Sequence, residues 1–182
     1  DLGEYRLGTD EVRLVSPTFT TKTGTSNLTD LSRTKGLDAG KVTLTRLDDD
    51  PDLFVGVLVF AGAHTTAGLE MPLFFSDEAR HEEARRRAEQ TAEPVDPYSL
   101  GRRLTKPRVT AVQGITFTIG IEIALAGDIV IAASDTRFCQ LEPKRGLAPL
   151  GGATVRYVQR AGWGNAMYHL LRADEFDAVE AY

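Results

Sequence analysis

Cysteine is nearly absent from this chain of 182 residues: Cys139 stands alone, so neither a disulfide framework nor an all-cysteine metal site can be built. Histidine is almost as scarce. His64, His81 and His169 are widely separated, none belongs to an H-E-x-x-H cluster, and no metal centre is expected. Basic charge is not in excess either, with 21 Lys and Arg against 26 Asp and Glu. A nucleic-acid binder would show clustered Lys and Arg. The densest run, Arg85-Arg86-Arg87, is flanked by acidic residues and reads as the solvated face of a helix. Long apolar runs are missing too, none reaching the roughly 18 residues that a membrane-spanning helix needs. The dinucleotide and phosphate-loop glycine patterns and the G-x-S-x-G serine elbow do not occur. These absences leave a single domain with no nucleic-acid or membrane partner, and the lone cysteine suits a reducing, cytoplasmic setting.

The apolar segments that are there read as alternating strands and helices. "EVRLVSP" at 11–17 suits a strand closed by Pro17, whereas the Thr-, Ser- and Gly-rich stretch 18–40 reads as loop with one short helix. "KVTLTRLDDDPD" is either a short strand or the last turns of a helix. "LFVGVLVFAG" at 53–62 is near-continuously apolar and β-branched, as expected of a strand buried on both faces. A solvent-facing helix is expected from Ser76, with acidic residues in its first turn, ending before Pro94. A second buried strand follows from Arg108 to Val112, then a helix at "IGIEIAL", a strand at "DIVIAAS" and a short extended piece at "TRFCQLE". Beyond Gly152, one or two helices are broken by Gly162 or Gly164, and a last helix starts in "FDAVEAY". Buried strands alternating with helices in this way imply an α/β layer fold.

Within this frame two glutamates, Glu122 and Glu142, sit in the apolar stretch 111–146. An isolated buried carboxylate is expensive. Glu122 can satisfy free amides in the first turn of a helix, and Glu142 can open a loop before Pro143. Alternatively, two carboxylates in unlike environments serve general acid and base chemistry. The residues by themselves leave both readings open.

The motifs around these glutamates resemble the crotonase superfamily, the enoyl-CoA hydratase/isomerase group. They are Ala111-Val112-Gln113-Gly114, Gly120-Ile121-Glu122-Ile123-Ala124, Gly127-Asp128-Ile129, Phe138-Cys139-Gln140-Leu141-Glu142 and Gly146 to Pro149. "GVLVFAGAHTTAGLEM" at 56–71 is similar to the family's upstream strand and loop, so the resemblance runs over residues 53–182. It implies an α/β, crotonase-like (ClpP/crotonase) spiral of β-β-α units. It also implies hydration of a 2-enoyl-CoA thioester, with Glu122 activating the water and Glu142 handling the α-carbon proton. The backbone N–H groups of Leu69 and Ile119 would form the oxyanion hole. Ala67, Gly68, Phe117, Gly120 and Trp163 would line the substrate. Coenzyme A enters as part of the acyl-CoA substrate, and no separate cofactor is implied. An isomerase, another acyl-CoA-transforming enzyme or a non-catalytic acyl-CoA-binding relative are the alternatives.

This sequence departs from the family pattern at identifiable places. Ile119 and Thr118 stand where glycines are usual, Leu69 where a small residue is usual, and "FCQLE" lacks the customary proline before Glu142. Side chains at Leu69 and Ile119 are expected to narrow the pocket. The expected organisation is a single crotonase-like domain over 1–182, diverged over 1–50. The family's C-terminal trimerisation helices are expected to be absent from these residues, and a homotrimer or hexamer is expected where they are present.

Overall fold

Strands in this molecule come in pairs joined by a tight corner, each pair leading to a helix. The computed structural model describes residues 18–21, 24–27, 44–69, 71, 76–77, 80–81, 84–85 and 92–182. In chain order the strands are β1 (Thr18–Thr21), β2 (Gly24–Asn27), β3 (Gly56–Val59), β4 (Arg108–Val112), β5 (Ile115–Phe117), β6 (Ile129–Ala132), β7 (Arg137–Cys139) and β8 (Phe176–Asp177). The helices between and after them are α1 (Ile119–Leu125), α2 (Ala153–Arg172) and α3 (Ala178–Ala181), with a 3-10 turn over Glu142–Arg145.

β3, β4 and β6 form one parallel sheet in that order. β5 and β7 run parallel in a second sheet, with β8 antiparallel on the β7 edge. Thr66 adds a parallel bridge to Thr116 in β5. Each turn of the chain therefore crosses the first sheet, turns a corner into the second, and leaves through a helix. β3 leads past Thr66 to the helical residues Asp77, Arg80, His81, Ala84 and Arg85, β4 through β5 to α1, and β6 through β7 to α2. This is the β-β-α spiral that the resemblance implies.

The corners are stitched by polar side chains that have no other place to go. Gln113 donates through Nε2 to the carbonyls of Phe60 (2.7 Å) and Gly62 (2.9 Å), tying one turn of the spiral to the next. Thr65 and Gln113 exchange backbone and hydroxyl hydrogen bonds of 2.9–3.1 Å. Gly114, at φ 54°, makes the corner between β4 and β5; a β-carbon there would run into the Ala63 carbonyl and the His64 ring. Apolar side chains from both sheets and both long helices meet inside, among them Leu58, Val112, Ile121, Ile123, Phe138, Tyr157 and Leu170.

Several sequence expectations are corrected. Within 18–40, read as loop with one short helix, β1 and β2 pair antiparallel; threonine is β-branched and fits a strand as readily as a loop. Residues 44–49 are helical, with Leu44 and Leu47 buried, which decides between strand and helix for that segment. The strand in "LFVGVLVFAG" is not buried on both faces. Gly56 and Leu58 point inward while Val57 is 50% exposed, and Ile129 and Ile131 on β6 are similarly open. Parallel strands read as continuous apolar runs even where one face is uncovered. The strand expected at 11–17 lies outside the described residues. β5 and β8 were not foreseen; three and two residues long, they carry too little pattern to be read. The break foreseen in the long helix is at Gly162, which leaves helical geometry at φ 74°, ψ 168°.

Candidate active site

Glu122 lies in the first turn of α1 and is 2% exposed. Its partners come from the N-terminal end of α2. Oε1 accepts from the Ala153 N–H at 3.2 Å, and the Gly151 amide lends a second backbone hydrogen bond. The carboxylate presses so close to Gly151 that a β-carbon there would lie 2.6 Å from Cδ and nearer still to Oε2. Glycine is needed at 151 for space. Burial pushes the pKa of Glu122 above the usual carboxylate value; the two amides and Arg156 pull it down, while Glu142 adds to the rise.

Glu142 has a different seat. It opens the 3-10 turn after β7 and is half-buried, and its Oε2 accepts from Gln140 Nε2 at 2.9 Å. Gln140 is itself fully buried, so the donor is rigid while the carboxylate faces the pocket. Gly146 in the left-handed region closes the turn, and the Leu147 N–H returns to the Glu142 carbonyl at 3.0 Å.

Between these carboxylates and the loop before β4 lies a pocket of about 830 Å³. Glu122, Glu142, Leu69, Ile119, Ala67 and Gly68 all line it. Among the described residues, neither the Leu69 nor the Ile119 N–H has a hydrogen-bond acceptor. Thr118, between β5 and α1, adopts φ 49° and ψ −113°, an unusual conformation for a β-branched residue, and its buried hydroxyl has no partner. That side chain packs against Gly68: a β-carbon on Gly68 would come within 2.8 Å of Thr118 Oγ1. The volume that glycines would leave free is thus filled beside Gly68, and the cavity beyond stays roomy despite Leu69 and Ile119.

Three of the residues expected to touch substrate do not line the pocket. Trp163 is 69% exposed on the solvent side of α2, just past the Gly162 break. Phe117 belongs to β5, where its backbone pairs with Cys139 and its N–H with Thr66. Gly120 faces the threonines; a β-carbon there would meet Thr66 Cγ2 at 2.8 Å and Thr116 Cγ2 at 3.3 Å. In their place stand residues that sequence reasoning missed: Met71, Tyr98, Leu100, Leu147 and Leu150. Tyr98 and Leu100 are presented by a turn built on Asp96. Its carboxylate accepts from the amides of Tyr98 (2.9 Å), Leu100 (3.1 Å) and Gly101 (2.9 Å). Two arginines clamp the turn from behind. Buried Arg108 donates to the Pro97 carbonyl at 3.1 Å and to Ile123 at 2.8 Å, and Arg156 donates to the carbonyls of Tyr98 and Ser99. Burial lowers the Arg108 pKa to about 10, so its charge persists at neutral pH. Burial first, then the charges of Glu122 and Asp96, push the Tyr98 phenol far up, which keeps it neutral. Asp96-Pro97 ahead of Gly101 was the available signal for this turn.

Among the described residues no three His, Cys, Asp or Glu side chains come together as a metal site. None of the described helices is long and apolar enough to cross a membrane.

Residues 42–182 match the family model described as enoyl-CoA hydratase/isomerase. The chain belongs to that family. The crotonase superfamily's enoyl-CoA hydratase EchA19 of Mycobacterium tuberculosis is 32% identical over 136 residues, covering 75% of this chain and 50% of that protein. A crotonyl-CoA hydratase of Syntrophomonas wolfei is 32% identical over 143 residues, covering 78% and 53%. The crystal structure of enoyl-CoA hydratase EchA1 from Mycobacterium marinum superimposes with a TM-score of 0.65 at 30% identity, over 81% of this chain and 54% of that one. The crotonase-like α/β fold is thereby shared with solved relatives. This crotonase-family chain spans about half the length of the relatives it matches.

Proposed function

We propose that this chain carries the reaction centre of an enoyl-CoA hydratase-like lyase, adding water across the double bond of a 2-enoyl-CoA thioester. One observation carries the reading: Leu69 and Ile119 line the same pocket as both glutamates, and among the described residues neither of their backbone N–H groups has an acceptor. The thioester oxygen would accept from these two amides, which stabilise the enolate charge as it develops. Glu122, ionised and held by the Ala153 and Gly151 amides, would position and activate the water whose oxygen bonds to the β-carbon. Glu142, steadied by Gln140, would deliver the proton to the α-carbon. The further expectations are one domain over the whole chain, no cofactor beyond the coenzyme A of the substrate, and a trimeric or hexameric assembly for the complete protein.

The test is hydration of 2-enoyl-CoA, followed by the loss of absorbance of the conjugated thioester. Glu122→Gln and Glu142→Gln should each lower kcat by about 10²–10⁴ without unfolding the protein. An isomerase would instead move the double bond of a 3-enoyl-CoA and depend on one carboxylate only. Full hydratase activity in either variant would sink the two-carboxylate reading.

A further inference from the structure

The pocket has more room, and a more uniform lining, than the reacting atoms require. At about 830 Å³ it falls in the upper part of the range for sites that enclose whole small molecules. A methylene group fills about the same volume as a water molecule, about 30 Å³, so a four-carbon acyl group takes up about 120 Å³. Were half the pocket given to the pantetheine arm, the remainder would still hold about a dozen methylene-sized groups. The walls match an apolar guest. Met71, Leu100, Leu147 and Leu150 are all exposed to solvent, Leu150 by 82%, and all four converge on this cavity together with the Tyr98 ring. Exposed apolar side chains scattered over a surface mean little, but a cluster rimming a single cavity marks a binding surface. Among the described residues, the charged groups on the wall are Glu122, Glu142 and Arg145. The two carboxylates oppose a negatively charged acyl terminus, and one exposed arginine does not offset both.

We infer that the acyl pocket is built for a large, uncharged hydrocarbon group of about eight carbons or more, held between the Tyr98–Leu100 turn and the Leu147–Leu150 segment. The inference rests on the acyl-CoA reading above and adds the class of acyl group. The turn is suited to act as a fixed wall. Asp96 holds its amides and Arg108 and Arg156 hold its carbonyls, so little of the turn's own freedom is left to lose when a guest binds.

The experiment is a length series of trans-2-enoyl-CoA thioesters with four, eight, twelve and sixteen carbons, measured as kcat/KM. Binding of the saturated acyl-CoA thioesters of the same lengths is measured beside it by calorimetry. A fully buried methylene contributes about fourfold in affinity. The pocket is open, so a rise of at least tenfold from four to eight carbons is expected in both measurements. Leu100→Asp and Leu147→Asp replace exposed residues and should fold. Each should reduce the twelve-to-four ratio at least fivefold. An ω-carboxylated 2-enoyl-CoA of eight carbons should be the poorer substrate and ligand beside its uncharged counterpart. Equal or better use of the four-carbon thioester, preference for the carboxylated chain through Arg145, or an unchanged ratio in both variants would overturn the inference. If binding rises with length while no thioester is hydrated, the hydratase reading fails and the acyl-pocket inference stands.

Discussion

Glu122 and Glu142 share one pocket and are held in opposite ways. Glu122 is sunk beneath the surface, bound by backbone amides and fenced in by a glycine that admits no side chain. Glu142 stands half-exposed on a short turn, steadied by one side-chain amide. Backbone donors cannot rotate away, so the first carboxylate is fixed in place, and its burial is offset only in part by those amides and by Arg156. The second keeps the freedom that a proton carrier needs. Two identical side chains thus acquire different surroundings, which suit the different duties proposed for them.

The difference can be broken most strongly at Gly151. Gly151→Val puts a side chain where the Glu122 carboxylate lies and drives it from its amides. Displacement of a reacting group by about 1 Å lowers kcat about 100-fold, and steady-state kinetics should show at least that loss. Gln140→Leu attacks the other seat. It removes the donor to Glu142, and kcat should fall about tenfold, the scale of one hydrogen bond to a charged group. The smallest effect is on stability and has the unexpected sign. Because burial raises the Glu122 pKa, the native state holds that proton more tightly than the unfolded chain does, and ionising the group opposes folding. Wild-type stability contributed by this site is therefore full below the ordinary glutamate pKa and declines as pH rises through the raised value. Thermal unfolding of Glu122→Gln should show a slightly higher Tm than wild type at neutral pH, and the gap should close in acid. An equal gap at every pH would show that burial of the charge is not its cause.

How far the site was legible depended on where its chemistry is written. In the stretch from Ala111 to Gly146, β4, α1, β6, β7 and both glutamates could be read from local pattern, whereas the Gly114 corner and β5 could not. Leu69 and Ile119 were accessible only through their motif positions, since a backbone amide leaves no mark on residue type. Tyr98, Leu100, Leu147 and Leu150 could not be reached from composition. They look like ordinary loop residues until the Asp96 turn and the Glu142 turn carry them to one cavity. Trp163 shows the converse: bulk and an apolar ring suggested a lining residue, and just past the break at Gly162 it stands exposed, outside this pocket. The fold was readable in its parallel strands, whose β-branched runs are strong signals, and unreadable in β5 and β8, which exist through pairing with distant partners.

Arg156 gives the arrangement one more consequence. It lies in the first turn of α2, the same turn whose Ala153 amide holds Glu122, and its guanidinium grips the carbonyls of Tyr98 and Ser99. The seat of Glu122 and the turn proposed to wall the acyl group hang from a single turn of helix. On the proposed reading, divergence toward new acyl groups is constrained: changes near Arg156 would disturb chemistry and selectivity together. Leu147 and Leu150, outside that turn, would then be the positions where a lineage retunes its preference and keeps its rate.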